Sequence, residues 1–290
     1  MNPTVTVLIA TYNKSEALRY AIDSVLWQTF EDFELWVVGD GCTDDSAALV
    51  KGYDDPRVHW TNLPENSGYQ SEPHNEGLRR AKGTYVAYLN HDDIWFPNHL
   101  DALVGCATRT GATLVYSIME WVLEYADPYV DVPHFPDAPR PPEASATLHR
   151  RDLVDEMGYW KPPEETFAVP RAEYFRRAQF LGKQFEFVPM LTVLKFGGTS
   201  GGYAAAGRQA DYMANIRSDP NFAHRELARL LARTYHQLDQ PTTPRRFLHQ
   251  IGEFARRQMV KRRIDPARLV FWRQPGRHIR AWRKAHHLEL

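Results

Sequence analysis

The stretch Leu89-Asn-His-Asp-Asp-Ile-Trp-Phe-Pro-Asn-His-Leu100 sets two adjacent carboxylates, Asp92 and Asp93, directly behind the apolar run TYVAYL (84–89). Neighbouring aspartates repel, and at a strand end they favour a turn over continuation of the sheet. Two readings follow. The pair is a solvated turn capping a helix near Pro97, or something positive sits between it and an anionic ligand. The rest of the chain has to decide.

Upstream, TVTVLIA (4–10) reads as a fully buried strand and FELWVVG (33–39) as a second. A shorter strand lies near RVHW (57–60), and TYVAYL is another. Between the first two, Ser15 is a candidate N-cap for a helix over 15–27, with Ala17, Leu18, Ala21, Ile22, Val25 and Leu26 as its apolar stripe. DSAALVKGY (45–53) and part of NSGYQSEPHNEGLRRAKG (66–83) supply further helices. Strands alternating with helices argue for an α/β chain with a Rossmann-like, mostly parallel, doubly wound sheet. Ligands bind such sheets beyond the carboxyl ends of the strands. ATYN (10–13), DGCTDD (40–45) and NHDD (90–93) all fall there, which favours the ligand-facing reading of Asp92 and Asp93.

After Leu103 the pattern changes. ATLVYSIMEWVLEY (112–125) reads as extended, and residues 127–142 are too proline-rich for a helix or a central strand. RRDLVDEMG (150–158) is a short helix ending at Gly158, and RAEYFRRAQFLG (171–182) another with Gly182 as C-cap. QFEFVPMLTVLKF (184–196) gives one or two strands. KFGGTSGG (195–202) lacks both the P-loop ending and the GxGxxG spacing, and reads as a lid or as an ordinary mobile loop. From about Ala210 the chain is helical. The expected division is a catalytic domain over 1–209, with halves 1–103 and 104–209, and a helical extension over 210–290.

The net charge of −1 hides an asymmetry. Between Arg245 and His287 stand 13 Lys and Arg against Glu253 and Asp265, leaving −12 on the remainder. Phe247, Ile251 and Phe254 recur at helical spacing among these arginines, and Trp272 and Trp282 follow. Such a tail can lie peripherally on an anionic bilayer, or pack on the catalytic domain or on a second copy in a homodimer. No nucleic-acid reader motif is present. Two cysteines, Cys42 and Cys106, are too few for a disulfide framework. With neither a signal-like N-terminus nor an apolar run long enough to span a bilayer, the expectation is a cytoplasmic protein, peripheral at most to the inner face of the membrane.

In order and spacing, ATYNKSEAL (10–18), VVGDGCTDDS (37–46), NSGYQSEPHNEGLRRAKGTYVAYLNHDDIWFPNHL (66–100) and TLHRRDLVDEMGYW (147–160) resemble the GT-A-fold, family 2 glycosyltransferases over roughly residues 4–195. The resemblance implies a nucleotide-sugar donor (a UDP-sugar), Mg2+ or Mn2+, and inversion at the anomeric carbon. It also implies a saccharide or lipid-linked glycan acceptor in envelope or exopolysaccharide assembly. In that frame Asp92 and Asp93 hold the cation, which stabilises charge developing on the leaving diphosphate. Ala10, Thr11, Tyr12 and Asp40 surround the nucleoside, with Asp40 on a pyrimidine N3–H. Asn66, Gly68, His74 and Asn75 line the donor pocket, and Asn90 and His91 stand beside the aspartates. His74 replaces the commoner arginine, making a permanent cation near the phosphates titratable; the alternative for it is a structural histidine.

Three departures matter. Gly39 stands where the family carries its first carboxylate, Asn90 replaces the leading acid of the third motif, and Pro170-Arg171 occupies the place of a Glu-Asp pair that usually supplies the base. Inverting transfer needs a carboxylate to take the acceptor hydroxyl's proton. Glu173 is the candidate, with Glu164 and Glu165 behind it; otherwise Glu173 is a solvated first-turn acid. Asn90 and the missing pair also leave open a sugar-nucleotide-binding or scaffolding protein without catalysis. A nucleotidyltransferase is the further alternative, although ATYNKSEA lacks its glycine-rich phosphate loop.

Overall fold

A computed structural model describes residues 2–123, 129–131, 141–197, 206–238 and 244–269. Its first strand, β1 (Val5–Thr11), is buried on both faces, as a continuous apolar run in a parallel sheet requires. Val5, Val7 and Ile9 pack with Leu18, Ile22 and Val25 of α1 (Ser15–Leu26). Leu8 points the other way, into a cluster with Leu78 of α3 (Ser71–Arg80). On one side of β1 lie β2 (Phe33–Gly39) and β3 (Val58–Asn62), on the other β4 (Tyr85–Tyr88), all parallel. The loop after β2 leads into α2 (Ser46–Lys51).

Among the described residues the sheet has nine strands, and beyond β4 it becomes mixed. β8 (Thr147–Arg150) is antiparallel to β4 and to β6 (Leu114–Leu123). β6 runs parallel to β9 (Phe185–Gly197), β5 (Ile94–Trp95) pairs antiparallel with β9, and β7 (Tyr129–Asp131) with β6. The parallel pairing expected from the sequence therefore holds throughout β1–β4, whereas the second half combines the parallel β6–β9 pair with antiparallel neighbours. Antiparallel neighbours need no crossover helix, so the second half folds around strands as short as β5 and β8.

α4 (His99–Thr110), α5 (Leu153–Met157) and α6 (Pro170–Phe180) flank this half. α5 stops before Gly158 and α6 shortly before Gly182, whose φ values of +76° and +71° suit the left-handed geometry of a helix end. The expected boundary at 209/210 falls inside α7 (Ala206–Ser218). Met213 and Ile216 of α7, with Leu230 of α8 (Phe222–Leu238), close a cluster with Ile94, Phe96, Leu194 and Phe196. These helices share the core of the sheet. α9 (Pro244–Lys261) follows; it buries Val260 and exposes Ile251 and Phe254. Residues 198–205 of the glycine-rich segment, most of the proline-rich stretch, and Trp272 and Trp282 lie outside the described residues. Among the described residues no helix is long and apolar enough to cross a membrane.

Candidate active site

Registry builds the site. Thr11, Gly39 and Asn62 end their strands side by side, whereas β4 stops at Tyr88, opposite Leu8. Residues 89–93 must therefore run on past the end of β1. The Leu89 amide donates to the Leu8 carbonyl at 3.0 Å, and His91 Nδ1 lies 3.2 Å from the Ala10 carbonyl. Burial drives the His91 pKa down to about 4 against the pull of that carbonyl and of Asp93, so the ring is neutral at pH 7. The Asp93 amide then donates to the Asn90 carbonyl at 3.1 Å, closing the turn.

β5 follows at once, and its pairing of Ile94 with Leu194 brings Asp93 to Lys195. Asp93 is fully buried. Its Oδ2 accepts from Ser145 Oγ at 2.5 Å and Asn90 Nδ2 at 3.0 Å, and faces Lys195 Nζ at 3.4 Å; its Oδ1 accepts from the Phe196 amide at 3.3 Å. Burial pushes the Asp93 pKa from 3.8 to about 6, with Lys195 opposing the rise. For Lys195 burial works against the ammonium form, but Asp93, Glu143 and Asp92 outweigh it and hold the charge. The ammonium also lies 5.1 Å from the centre of the Trp121 ring. Ser145 is fixed by accepting from the Asn90 amide at 3.1 Å through Oγ and from Trp95 Nε1 at 2.7 Å through its carbonyl.

Asp92 differs. Its carbonyl accepts from Gln209 Nε2 at 2.7 Å, which anchors the backbone from α7, but no other described residue bonds its carboxylate. Burial raises its pKa, with Lys195 and Lys14 opposing. The two aspartates thus do not fit a divalent cation equally. Asp93 is engaged at both oxygens and compensated by a lysine. Asp92 fits as a single carboxylate ligand, an arrangement Mg2+ accepts when phosphate oxygens and water complete its shell. Among the described residues no group of three or more His, Cys, Asp or Glu could hold a metal, so the substrate would have to supply ligands.

At the end of β2, Asp40 organises the segment expected to line the donor pocket. Oδ1 accepts from the Ser67 amide and hydroxyl at 2.9 and 2.7 Å, and Oδ2 from the Gly68 amide and Asn66 Nδ2, each at 3.2 Å. The Asp40 amide donates to the Thr11 carbonyl at 2.8 Å. Asp40, Asn66, Gly68 and Thr11 are thereby brought together, with Tyr12 half-buried at the next position. The departure at Gly39 has a steric cause. A Cβ there would stand 2.3 Å from Asn62 Oδ1 and 2.8 Å from the Trp60 ring. Asn62 cannot easily yield, since its side chain bonds the Cys42 amide at 2.9 Å and carbonyl at 3.0 Å. Asn13 was not singled out from the sequence. At φ +49° its Oδ1 accepts from the Thr43 and Asp44 amides, and Asp44 in turn accepts from the Ser15 and Ser46 amides.

Two expectations need correction. His74 is 1% exposed, with its ring centre 5.0 Å from Tyr88 and 4.7 Å from Trp160. Neither ring nitrogen meets a hydrogen-bond partner among the described residues. Burial drives its pKa down to about 3, so it is a neutral core group and not a titratable cation near phosphates. Asn75 beside it clamps the Trp160 backbone, amide and carbonyl, at 2.9 Å each. Glu173 is no solvated acid: Arg177 grips both its oxygens at 3.1 and 3.0 Å, Lys161 Nζ lies 3.7 Å away, and Arg177 also reaches the Met157 and Tyr159 carbonyls. It ties α6 to the segment after α5. Sequence reasoning missed Lys195, Ser145 and Gln209. Only Lys195 left a signal, as the lone charge in the apolar run VPMLTVLKF (188–196).

Known proteins resemble this chain in sequence and in fold. An uncharacterized glycosyltransferase of Rickettsia typhi is 36% identical over 100 residues, covering 34% of this chain and 30% of the relative. The poly(ribitol-phosphate) beta-N-acetylglucosaminyltransferase TarP of Staphylococcus aureus is 34% identical over 38% of this chain and 35% of its own length. The succinoglycan biosynthesis protein ExoO of Rhizobium meliloti is 33% identical over 41% of the chain and 34% of its length. The match spans between 18% and 40% of the length of these and other curated relatives. The crystal structure of S. aureus TarS 1-349 in complex with UDP-GlcNAc superposes over 98% of this chain and 92% of that one, with a TM-score of 0.59 at 18% identity, which speaks for the fold. The sequence profile of Glycosyl transferase family 2 matches residues 6–180, and to that family the chain belongs.

Proposed function

We propose that this chain moves a sugar from a UDP-sugar to a saccharide or lipid-linked glycan acceptor, with inversion, in envelope or exopolysaccharide assembly. The supporting observation is Asp92, whose carboxylate is hydrogen-bonded by no side chain among the described residues, at the ends of the parallel strands and beside an aspartate already paired with Lys195. Names of relatives add to this: TarP acts on poly(ribitol-phosphate), ExoO serves succinoglycan biosynthesis, and the TarS fold holds UDP-GlcNAc.

In this reading Asp92 holds Mg2+ or Mn2+, which when bound offsets the charge growing on the leaving diphosphate. Asp93, Ser145 and Lys195 keep the turn that presents Asp92 rigid, so little reorganisation accompanies charge transfer. The Asp40-held segment at 66–68 walls the nucleoside side, near Thr11 and Tyr12. Exposed Ile251 and Phe254 on a basic helix suit contact with the membrane that carries a lipid-linked acceptor.

Thermal shift with UDP-glucose, UDP-galactose, UDP-N-acetylglucosamine and UDP-glucuronate, with and without Mn2+, tests this. Selective binding stabilises the native state. At least one donor should give a Mn2+-dependent shift that Asp92→Asn removes, and wild type should slowly hydrolyse that donor. Absence of any metal-dependent shift would refute the reading. Binding without hydrolysis would favour the non-catalytic binding protein, and consumption of UTP with a sugar 1-phosphate would favour a nucleotidyltransferase.

A further inference from the structure

Arg171 stands where the family resemblance places a carboxylate, in the first turn of α6. A cation there opposes the helix dipole, which favours negative charge at an N-terminus. The fold corrects this from another segment. Arg171 NH2 pairs with Glu143 Oε1 at 2.5 Å, both side chains being 15% exposed, and Arg171 NH1 donates to the Pro141 and Pro142 carbonyls at 3.2 and 2.7 Å. The Ala146 amide donates back to the Glu143 carbonyl at 3.1 Å, making a tight turn. Inside that turn Ser145 Oγ donates to Asp93 at 2.5 Å. One short turn therefore links the start of α6 to the acidic pair, and Glu143 acts electrostatically on both Asp93 and Lys195.

We propose that Glu143, docked by Arg171, is the base that takes the acceptor hydroxyl's proton, replacing the carboxylate lost at position 171. The inference rests on the donor reading above. Glu173 has both oxygens held by one guanidinium, whereas among the described residues Glu143 is paired through Oε1, leaving Oε2 for a proton. In the step, an oxygen lone pair of the acceptor bonds the anomeric carbon as that carbon's bond to the diphosphate oxygen breaks. The bonding pair leaves with the nucleoside diphosphate, and the hydroxyl proton passes to Glu143 Oε2. Arg171 is a positioning residue.

The test is hydrolysis, by the full chain, of whichever of the four UDP-sugars wild type turns over, with water as acceptor, alongside Mn2+-dependent thermal shift by UDP. Glu143→Gln should lower turnover about 100-fold or more while leaving the UDP shift intact. Glu143→Asp should keep part of the rate that Glu143→Gln loses, and Arg171→Met should lose rate with the UDP shift intact, while Arg171→Lys recovers part of it. Turnover by Glu143→Gln within a few-fold of wild type, or its loss in Glu173→Gln alone, would overturn the assignment and leave the donor reading standing. A wild type that neither binds nor hydrolyses any of the four overturns both.

Discussion

Replacing Lys195 with methionine removes the only charge partner within ion-pair distance of Asp93 among the described residues, while the stem still packs beside Trp121. Asp93 keeps its three other hydrogen bonds, from Ser145, Asn90 and the Phe196 amide. Its folded pKa is raised from 3.8 to about 6 by burial even with Lys195 present, and it must rise further without it. A raised acid contributes stability that is complete below its unfolded pKa and is lost as pH climbs through the folded value. In wild type that loss saturates above pH 6 at ~3 kcal/mol, at ~1.4 kcal/mol per unit. In the variant it continues to grow until the carboxyl ionises, reaching at most ~5 kcal/mol at pH 7.5. The difference, ~2 kcal/mol, lies below the 3–5 kcal/mol typical of a broken buried pair because protonation offers an escape. It corresponds to about 4–8 °C in melting temperature. Denaturant unfolding in EDTA at pH 7.5 and pH 5 measures it: the gap should be open at the higher pH and nearly closed at the lower. A gap that is equal at both, or wider in acid, would refute the pairing as described.

Gly39→Ala should destabilise by about 1–3 kcal/mol through overpacking against Asn62 and Trp60, and Asn62→Gly in the same chain should recover part of it; a neutral single variant by chemical denaturation would contradict the steric account. His74, depressed from 6.5 to about 3 by burial, contributes stability that is full above pH 6.5 and lost as pH falls towards 3. By pH 5 that loss is ~2 kcal/mol, so His74→Leu should flatten the fall in unfolding free energy between pH 7.5 and 5 by this amount, and parallel slopes would exclude it. Exchanging Ile251 and Phe254 for serine should weaken salt-sensitive binding to anionic liposomes without moving the melting temperature; unchanged binding would favour the arginines alone or no membrane contact.

What could be read from the sequence was local. TVTVLIA and FELWVVG announce buried strands because their residues are nearly all apolar or β-branched, the exception being Glu34, which accepts from Thr6 Oγ1 of the neighbouring strand, and the polar turns at their ends mark the edge expected to face a ligand. β5 and β8 escaped because two or four residues carry no usable period, and β8 includes His149 and Arg150. Asp93 and Lys195 are separated by 102 positions and meet only through the β5–β9 register. Glu143 meets Arg171 in the same non-local way, so position 171 read as a loss when its compensation lay 28 residues upstream. His74 misled for another reason: a motif position specifies a place on α3, and whether that place faces a cleft or an aromatic core depends on Tyr88 and Trp160.

In the proposed function, charge pairing decides which carboxylate a cation would use. Asp93 is matched by Lys195 and Glu143 by Arg171, whereas Asp92 has no ion pair within 4 Å among the described residues and feels Lys195 and Lys14 only at longer range. Asp92→Asn should therefore abolish Mn2+-dependent UDP binding with the fold intact. Asp93→Asn removes an anion but frees the Lys195 ammonium beside Asp92, so it should weaken the Mn2+ contribution without eliminating it. Coulomb repulsion between the freed ammonium and a bound divalent ion, partly screened near the surface, is worth a few kcal/mol at most. Lys195→Met added to Asp93→Asn should then restore Mn2+ affinity towards wild type. Calorimetric titration of Mn2+ in the presence of UDP distinguishes the three. If Asp93→Asn eliminated the metal dependence and Asp92→Asn preserved it, the roles of the adjacent aspartates would be reversed.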